Sequence, residues 1–580
     1  MKQFLCLSAA AGLMAVSMAS CIDDKYDLDG MDTESEFKLV DLILPVNVSE
    51  VKLDQIIKPD DNSSLKVVEI NGREVYAVVQ SGDFESQSLK IQDINADIPA
   101  ISPAYVDFKL VSVAGTHNFD LKEVAPQVLT YTADNVDDYI TGLQAVYMEK
   151  DPSVLAVEVS LEGGTASGTT YTLSDIEIKM PLGLEVKNLA AGYSYNPETG
   201  MLTIDRLACP EGKGRISLTV TGMKMSADTR FENHKLVYNS TIIFQAAKLS
   251  VTSNSTSLVP EQLRFGINSS LSALHITSFS GDVQYDLTGE GLDIPSVSLT
   301  DLPDFLSQGN TTLRLANPQL YVGVESNPVA EYGLNFSTGM RLTKIYGQSA
   351  TGSYEPERRI ETSTDKYGAG PYDFVLSPTD PKSYPDQFAK NIEHIPFPGM
   401  SDVLDGAGLP DRIEIELLKP EIPTHHVDHF KLQEYSALKG HYEFLAPLAF
   451  KPEGTVIIYS DTFDDWGSED LDKLTLNAIT VDADALSTLP LDAKLHITPL
   501  ADEISDLKVS DVILKASPDT QHITLGVTGT IRNFKGITIE AVVTPANEDV
   551  IAPDQTITLT NLKAKVSGSY VTDFDDSSDE

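Results

Sequence analysis

The sequence predicts an all-β protein made of tandem antiparallel β-sandwich modules of the immunoglobulin-like kind, with few and short helices. Three observations predict this fold class. Apolar and polar residues alternate in many segments, which is the pattern of a half-buried strand. Clusters of Gly, Pro and Asn separate these segments at short intervals, as turns do. No segment keeps the 3.6-residue period of an amphipathic helix over several turns.

The alternating segments recur along the whole chain, so strands are expected in every part of it. Each segment carries apolar residues at every second position, which gives it one apolar and one polar face. The clearest examples are 157–161, 176–180, 216–220, 413–417, 557–559 and 562–566. Turn signals lie at 71–72, 196–200, 210–212 and 452–454. The stretches 303–307 and 400–406 are the candidates for helices of one or two turns.

Composition limits the classes of function. The 580 residues include 86 Asp and Glu but only 42 Lys and Arg, which gives a formal net charge of −44. A surface of this charge repels phosphate backbones and anionic lipid headgroups, so nucleic-acid binding is excluded. Hydrophobic residues make up 41% of the chain, which is enough for packed cores in several domains.

The expected domain organisation follows from changes in composition along the chain. Polar or proline-rich stretches near residues 105, 228 and 436 separate the runs of strands. We expect a signal peptide at 1–20, an acidic tether at 21–36, a β-rich module at 37–104, a β-sandwich module at 105–227, a β-rich module with a long loop at 228–435, and a C-terminal β-sandwich module with an acidic tail at 436–580.

The N-terminus has the features of a secretory signal that ends at a cysteine. Lys2 provides the positive charge, residues 4–19 the apolar stretch and residues 18–20 the small-residue cleavage pattern. This ending resembles the signal of bacterial lipoproteins, in which the cysteine, here Cys21, becomes the lipidated first residue. The resemblance implies acyl chains such as palmitate, and each buried methylene adds about 0.8 kcal/mol to membrane binding. No later stretch approaches the ~20 apolar residues of a transmembrane helix, so lipid is the expected anchor.

Cys209 is the one thiol that remains once the signal is removed and Cys21 carries lipid. An intramolecular disulfide is then impossible. No histidine stands near Cys209 in the sequence, so we expect a small apolar core residue rather than a reactive thiol.

One stretch, residues 346–399, interrupts the rhythm of strands and turns. It is rich in Gly, Pro, Ser and Tyr, and unstructured connections longer than ~12–15 residues are often functional or disordered. Tyrosine and arginine give a large contact area at a low entropic cost. With the only tryptophan of the chain, the candidate binding residues are Tyr354, Arg358, Arg359, Tyr367, Tyr372 and Trp466. The alternatives are a long decorated hairpin without a ligand and, for the tryptophan, packing at the edge of a module.

The most metal-like pattern is the run 425–429, His-His-Val-Asp-His, which His441 follows. On a regular strand His425 and His429 share one face, and His426 and Asp428 share the other. A zinc site needs three or four convergent ligands, so we expect no metal there but a solvent-exposed segment after a proline. The acidic runs 25–36 and 461–470 are better explained as surface charge than as cation sites. No cofactor is expected.

Catalytic motifs are missing from the sequence. There is no G-x-S-x-G, H-E-x-x-H, P-loop or Rossmann glycine pattern. Residues 347–351 resemble a nucleophile elbow but lack its last glycine, so we expect a turn there. A pair of catalytic carboxylates stays open, because the fold and not the spacing in sequence sets their separation. We expect that the protein is not an enzyme.

The segments 21–29, 42–45, 76–83, 442–450 and 458–462, together with Trp466, resemble a group of uncharacterised lipoproteins of Bacteroidetes. In that group an acidic, lysine-containing segment after the lipidated cysteine resembles the signal for export to the outer leaflet of the outer membrane. The matching residues are Asp23, Asp24, Lys25 and Asp27. The resemblance implies a lipid-anchored protein of the outer membrane, displayed on the cell surface. It implies no activity.

Two functions are expected from these observations. The first is a non-catalytic binding or accessory protein that uses loops at the ends of the sandwiches, mainly 346–399 and 460–470, to meet a glycan, a protein or a membrane partner. The second is a structural subunit of a surface or envelope assembly in which strand edges make the contacts.

Overall fold

The computed structural model describes residues 34–45, 50–60, 62–85, 88–109, 114–163, 168–253, 262–286, 294–307, 310–326, 334–363, 372–381, 383–388, 392–435, 437–463 and 474–573. About 67% of the residues are strand and 3% are helix, so the predicted all-β class is confirmed. The helices are α1 (Leu53–Ile56), α2 (Asp304–Ser307) and α3 (Met400–Val403). The last two lie in the stretches predicted to be helical. None of the helices in the described residues has the length and apolar character that a membrane span demands.

Strands follow one another along nearly the whole of the described chain. In chain order they are β1 (Glu34–Pro45), β2 (Glu50–Lys52), β3 (Leu65–Ile70), β4 (Arg73–Glu85), β5 (Leu89–Lys90), β6 (Ile94–Ala96), β7 (Ala104–Lys109), β8 (Gly115–Leu121), β9 (Gln127–Ala133), β10 (Ile140–Tyr147), β11 (Ser153–Glu162), β12 (Thr169–Lys179), β13 (Leu184–Lys187), β14 (Tyr193–Asn196), β15 (Met201–Cys209), β16 (Lys213–Lys224), β17 (Thr229–Glu232), β18 (Lys235–Ser253), β19 (Gln262–Leu271) and β20 (Leu274–Ile276).

The second half of the chain continues in the same way. Its strands are β21 (Ser278–Asp286), β22 (Val297–Ser298), β23 (Thr312–Leu313), β24 (Gln319–Ser326), β25 (Ser337–Tyr346), β26 (Ser349–Tyr354), β27 (Ile360–Glu361), β28 (Tyr372–Ser377), β29 (Glu393–Pro396), β30 (Gly406–Ala407), β31 (Arg412–Lys431), β32 (Glu434–Tyr435), β33 (Leu438–Pro447), β34 (Ile457–Phe463), β35 (Leu474–Ser487), β36 (Leu491–Ser510), β37 (Val512–Leu514), β38 (Gln521–Pro545) and β39 (Thr556–Asp573).

Four large sheets contain most of these strands. The central sheet has twelve strands along the path β26-β25-β31-β21-β10-β16-β11-β19-β7, with β13, β22 and β27 paired at its sides. The seven-stranded sheet contains β8, β9, β12, β14, β15, β17 and β18. The six-stranded sheet runs in the order β29-β28-β24-β33-β4-β3. The terminal sheet contains β1, β2 and β34 to β39.

Two hydrophobic cores lie against the central sheet. The first core joins residues of β11 and β16 to residues of the seven-stranded sheet, such as Leu173 and Ile176 of β12. The second core joins β25 and the start of β31 to the six-stranded sheet, for example through Val322 of β24 and Phe374 of β28. The alternating apolar positions read from the sequence therefore become the buried faces of these sheets.

β31 takes part in both cores. Its first half pairs with β25 and places Ile413 and Ile415 in the second core. Its second half pairs with β21 and places Val427 and Phe430 in the first core. One continuous strand of 20 residues thus connects the two sandwiches.

Two irregularities make this long strand possible. Proline lacks the N–H that a strand interior needs, so prolines in sheets lie at edges or bulges. The register of β31 with β25 shifts between Leu418 and Glu421, around Pro420. Its register with β21 shifts between Ile422 and His425, around Pro423. Each proline therefore lies at a bulge, where the strand does not need a backbone N–H for a hydrogen bond to the neighbouring strand.

The terminal sheet pairs the two ends of the described chain. β1 and β39 are antiparallel, with Glu34 opposite Asp573 and Pro45 opposite Lys563. The chain therefore enters and leaves this sheet at the same end. β1 begins inside the predicted tether, and β39 ends where the predicted acidic tail begins.

The sheets combine segments that are distant in sequence. β4 pairs with β33 and β1 pairs with β39, so both pairings cross the expected boundaries near 105, 228 and 436. The domain boundaries stay predictions, but hydrogen bonding does not follow them. One pair also departs from the expected antiparallel pattern, because β28 and β29 run parallel.

Local predictions agree with the structure at turns and at the thiol. Asn71 and Gly72 both have positive φ, 55° and 75°, and form the two-residue turn between β3 and β4. Cys209 is fully buried in the first core, and burial raises the pKa of its thiol to about 11. It is an apolar core residue, as expected.

We predict that a disulfide will form between the terminal strands. Lys38 lies opposite Ser569, and antiparallel partners have Cα atoms about 4.5–5.5 Å apart, within the range of a disulfide. In the soluble chain that begins at residue 22, Lys38→Cys with Ser569→Cys should give a cross-linked band on a non-reducing gel. Lys38→Cys with Lys565→Cys is the matched control, since it is out of register by four residues. Equal cross-linking in both pairs would contradict the observed register.

Candidate functional site

The described part of region 346–399 contains short strands separated by irregular segments. β26 returns from β25 through a turn in which Gly347 has a φ of 59°. The segment that resembled a nucleophile elbow is thus a turn followed by a strand, as expected. β27, β28 and β29 also lie in this region and pair with the central or the six-stranded sheet.

Arg359 and Arg358 connect this region to neighbouring strands. Arg359 donates to Ser337 Oγ at 2.8 Å and to the carbonyl oxygen of Lys419 at 2.9 Å, which joins β25 to β31. Arg358 pairs with Glu393 and donates to the carbonyl oxygen of His394 at 3.2 Å. Both guanidinium groups therefore form contacts within the protein, and a ligand for them stays a prediction.

The tyrosines of the candidate set occupy different environments. Tyr354 has the Lys344 ammonium 5.6 Å from its ring centroid, and that ammonium donates to two carbonyl oxygens at the end of α3. Tyr372 is only 3% exposed and belongs to the second core. The structure does not gather these two with the arginines into one open surface. The other predicted site residues, Cys21, Asp23, Asp24, Lys25, Asp27, Tyr367 and Trp466, lie outside the described residues.

The histidine run follows Pro423 in β31, within the central sheet, and the expected exposure is found at His426, Asp428 and His429. His425 accepts a hydrogen bond from the backbone N–H of Asn335 at 2.9 Å. His426 Nδ1 lies 3.0 Å from Asp282, whereas His429 Nδ1 lies 3.0 Å from Asp428. The described residues contain no group of three or more side chains arranged to hold a metal.

The expected alternation of faces is wrong at one position of this run. His429 has a φ of 51°, which interrupts the regular alternation of a strand. Its ring stacks on Tyr147 with centroids 4.1 Å apart, beside Asp428. Asp428 and His429 therefore lie together rather than on opposite faces.

The outer face of the six-stranded sheet carries a more unusual arrangement. In β33, Tyr442 and Phe444 point into the second core, so His441 and Glu443 point the other way. His441 lies opposite Gly323 of β24, and Glu443 lies opposite Tyr321. Polar and aromatic groups thus share the outer face of a sheet whose inner face is already apolar.

Gly323 makes room for the His441 ring. A Cβ atom at position 323 would lie 2.3 Å from Cε1 and 2.4 Å from Nε2 of His441, so the imidazole lies directly over the glycine. Nε2 is buried and has no hydrogen-bond partner. An unsatisfied buried polar atom costs about 1–3 kcal/mol, which makes it an unusual feature of a native structure.

Residues 383–388, which we name the strap, cover this face. Phe388 lies with its ring centroid 5.0 Å from those of both Tyr321 and His441. Tyr384 meets Tyr321 edge-on at 6.4 Å. Together with Ala77, Val375 and Leu445, Phe388 and Tyr321 form a small separate core outside the sheet.

The topology explains why a segment lies here. β28 and β29 are parallel neighbours, and parallel strands need a long crossover connection that returns over one face of the sheet. The strap is part of that connection. It covers the outer face because the inner face is filled by the second core.

The polar contacts under the strap involve the carboxyl group of Glu443 and the phenol of Tyr321. Gln387 donates from its side-chain amide to Glu443, and burial raises the pKa of that carboxyl group. The Tyr321 hydroxyl donates to Gln319 Oε1 at 2.5 Å, and burial also raises the pKa of the phenol. Among the described residues no Lys or Arg forms an ion pair with Glu443.

Sequence reasoning found the strap only as part of region 346–399 and considered His441 only as a metal ligand. It did not single out Gln387, Phe388 or Glu443. The sequence did contain one signal of a polar outer face: His441 and Glu443 alternate with the large aromatic residues Tyr442 and Phe444. That signal does not identify the opposing glycine, which depends on long-range register.

We predict that Gly323→Ala destabilises the protein by displacing the His441 ring, at a cost of about 1–3 kcal/mol, which is typical of overpacking. In a His441→Ala background the same change should cost much less, because the clashing ring is gone. Urea unfolding of the chain from residue 22, with hydrogen exchange of residues 383–388 as a local readout, measures both effects. Additive effects of the two substitutions would contradict the contact.

Comparison with known proteins gives no family: no family model matches the chain, and no curated protein matches it. Among solved structures, the chain is similar to a Parabacteroides distasonis protein provisionally designated as secreted, with 13% identity and a TM-score of 0.34 over 50% of this chain and 88% of that chain. It is also similar to a Corynebacterium diphtheriae protein provisionally designated as membrane-anchored, with 10% identity and a TM-score of 0.11 over 82% of this chain and 96% of that chain. Similarities of this size assign neither a family nor an activity.

Proposed function

We propose that this chain is a lipid-anchored protein of the bacterial outer membrane, displayed on the cell surface, and that it acts as a non-catalytic binding or accessory module for a glycan or protein partner. The observation that carries the proposal is the position of β1. The strand that follows the predicted tether is hydrogen-bonded along its length to the last strand, β39. A tether that begins at Cys21 would therefore connect the lipid directly to a strand that is hydrogen-bonded into the terminal sheet.

The tether is short relative to the body. Thirteen residues, 21–33, separate the predicted lipid from β1. Thirteen residues, even fully extended, span at most about 45 Å. The end of the terminal sheet at which β1 begins would thus stay within that distance of the membrane.

Charge supports an anchor made of lipid alone. The net charge of −44 opposes adsorption of the body onto anionic headgroups. The acidic residues Asp23, Asp24 and Asp27, with Lys25, resemble a surface-export signal and would lie in the tether itself. Region 346–399 and the strap are then available to partners in solution.

The alternative, a structural subunit that assembles through strand edges, depends on open edges. Residues 496–510 of β36 have a strand on one side only within the described chain. This edge carries Pro499 and the acidic residues Asp502, Glu503 and Asp506. Proline and charge are the features by which natural edge strands prevent pairing with other chains. This edge therefore disfavours assembly through β36.

We predict that Cys21→Ala releases the protein from membranes into the soluble fraction, because the acylated residue is lost. Cell fractionation with immunoblotting measures this, and Cys209→Ala, at the buried thiol, is the matched control that should stay with the membrane. Protease treatment of intact cells should degrade the wild-type protein. Membrane retention of Cys21→Ala at the wild-type level would refute the lipid anchor, and protection from protease would refute surface display.

We predict that the soluble chain from residue 22 is a monomer that binds a glycan or a protein. Sedimentation measures the first property, and glycan arrays with host-protein arrays measure the second. Concentration-dependent assembly without array binding would instead support the structural-subunit alternative. Hydrolysis of an array glycan that disappears when single carboxylates are replaced would contradict the non-catalytic assignment.

A further inference from the structure

We propose that the surface under the strap is a binding site for a protein segment that presents a basic side chain next to an aromatic ring, and that Gln387 and Phe388 occupy this site until such a partner displaces them. This deepens the proposed function, on which it rests, by selecting a protein partner rather than a glycan.

The shape of the site is defined by what Phe388 fills. Its ring lies 5.0 Å from the ring centroids of both Tyr321 and His441. The aliphatic side chains of Ala77, Val375 and Leu445 complete this slot. A slot of this size and apolar character accepts one aromatic side chain from any segment that crosses the sheet.

The strap places a neutral group, and not a positive one, next to the carboxylate of the site. Glu443 receives a hydrogen bond from the neutral amide of Gln387, and no Lys or Arg of the described chain pairs with it. A guanidinium or ammonium group in place of the amide would form a charge-assisted hydrogen bond, which is roughly twice as strong. The net charge of −44 also attracts basic segments from a distance.

The strap leaves one buried group unsatisfied. Nε2 of His441 is buried under Phe388 and has no hydrogen-bond partner. A partner ring in the same slot covers this nitrogen as Phe388 does, so the nitrogen marks the slot as a place where polar contacts are incomplete but does not itself favour the partner.

Few contacts hold the strap to the sheet. None of its residues belongs to a strand, so opening breaks no ladder hydrogen bonds. Besides the Gln387 contact, its backbone receives a 3.5 Å hydrogen bond from the Tyr321 hydroxyl at the carbonyl of Ser383. The N–H of Phe388 donates within the strap, to the carbonyl of Pro385 at 3.1 Å. The strap is thus held by two rings, those of Phe388 and Tyr384, one amide and a long hydrogen bond.

The test uses the soluble chain from residue 22 and three peptides based on the strap. The probe is acetyl-Ser-Tyr-Pro-Asp-Arg-Phe-amide, in which arginine replaces the glutamine of the strap. The controls carry glutamine in place of arginine, or alanine in place of the final phenylalanine. Calorimetric or fluorescence titration gives the affinities for the wild type, Phe388→Ala, Gln387→Ala, Glu443→Gln and Glu548→Gln, the last of which removes an equal charge at an exposed site.

We expect the arginine peptide to bind Phe388→Ala about tenfold more tightly than it binds the wild type, since the slot is vacated. On Phe388→Ala, the arginine peptide should also bind about tenfold more tightly than the glutamine peptide. Glu443→Gln should remove the preference for arginine, and Glu548→Gln should keep it. Gln387→Ala frees the carboxylate without removing the ring and should also strengthen binding. Equal binding of all three peptides, or equal losses in the two glutamate variants, would overturn the site. Because the assay contains no membrane, failure here leaves the lipid anchor and glycan binding unaffected.

Discussion

The fold depends on one continuous strand that belongs to two cores. β31 gives Ile413 to the second core and Val427 to the first, and it hydrogen-bonds to β25 and then to β21. Two sandwiches that share a strand share backbone hydrogen bonds as well as apolar contacts. They cannot separate as modules on a flexible linker do, since separation would break a sheet. Separately, the pairings of β4 with β33 and of β1 with β39 join segments from opposite sides of the expected boundaries.

The parts of this fold that follow from local chemistry could be predicted, and the parts that follow from register could not. Alternation at 157–161 and 216–220 predicted strands because the period of two is a property of each segment alone. The Asn71-Gly72 turn was equally local. The pairing of β1 with β39 joins opposite ends of the chain, and nothing in either segment specifies its partner. The expectation of consecutive modules arose because only local patterns can be read from the sequence.

In the candidate site, too, local features could be predicted and features set by long-range register could not. Composition identified region 346–399 and its arginines, but it could not show that Arg358 and Arg359 donate to neighbouring strands. The His441 environment depends on Gly323 lying opposite it in β24. At His429, a single residue with positive φ changed which side chains share a face. Such features arise from bulges and long-range register, which a single sequence does not reveal.

The strap is a consequence of topology that offers a route to regulated binding. A parallel neighbour for β28 requires a crossover, and the filled second core forces that crossover onto the outer face of the sheet. Opening it exposes Phe388 and Tyr384 together with the slot beneath them, and the burial of one such ring contributes about 1.5–3 kcal/mol. A closed state favoured by ~2 kcal/mol lowers the apparent affinity of a partner about 30-fold without abolishing it. A partner that supplies its own ring recovers this energy, so selectivity rests on the charge at Glu443.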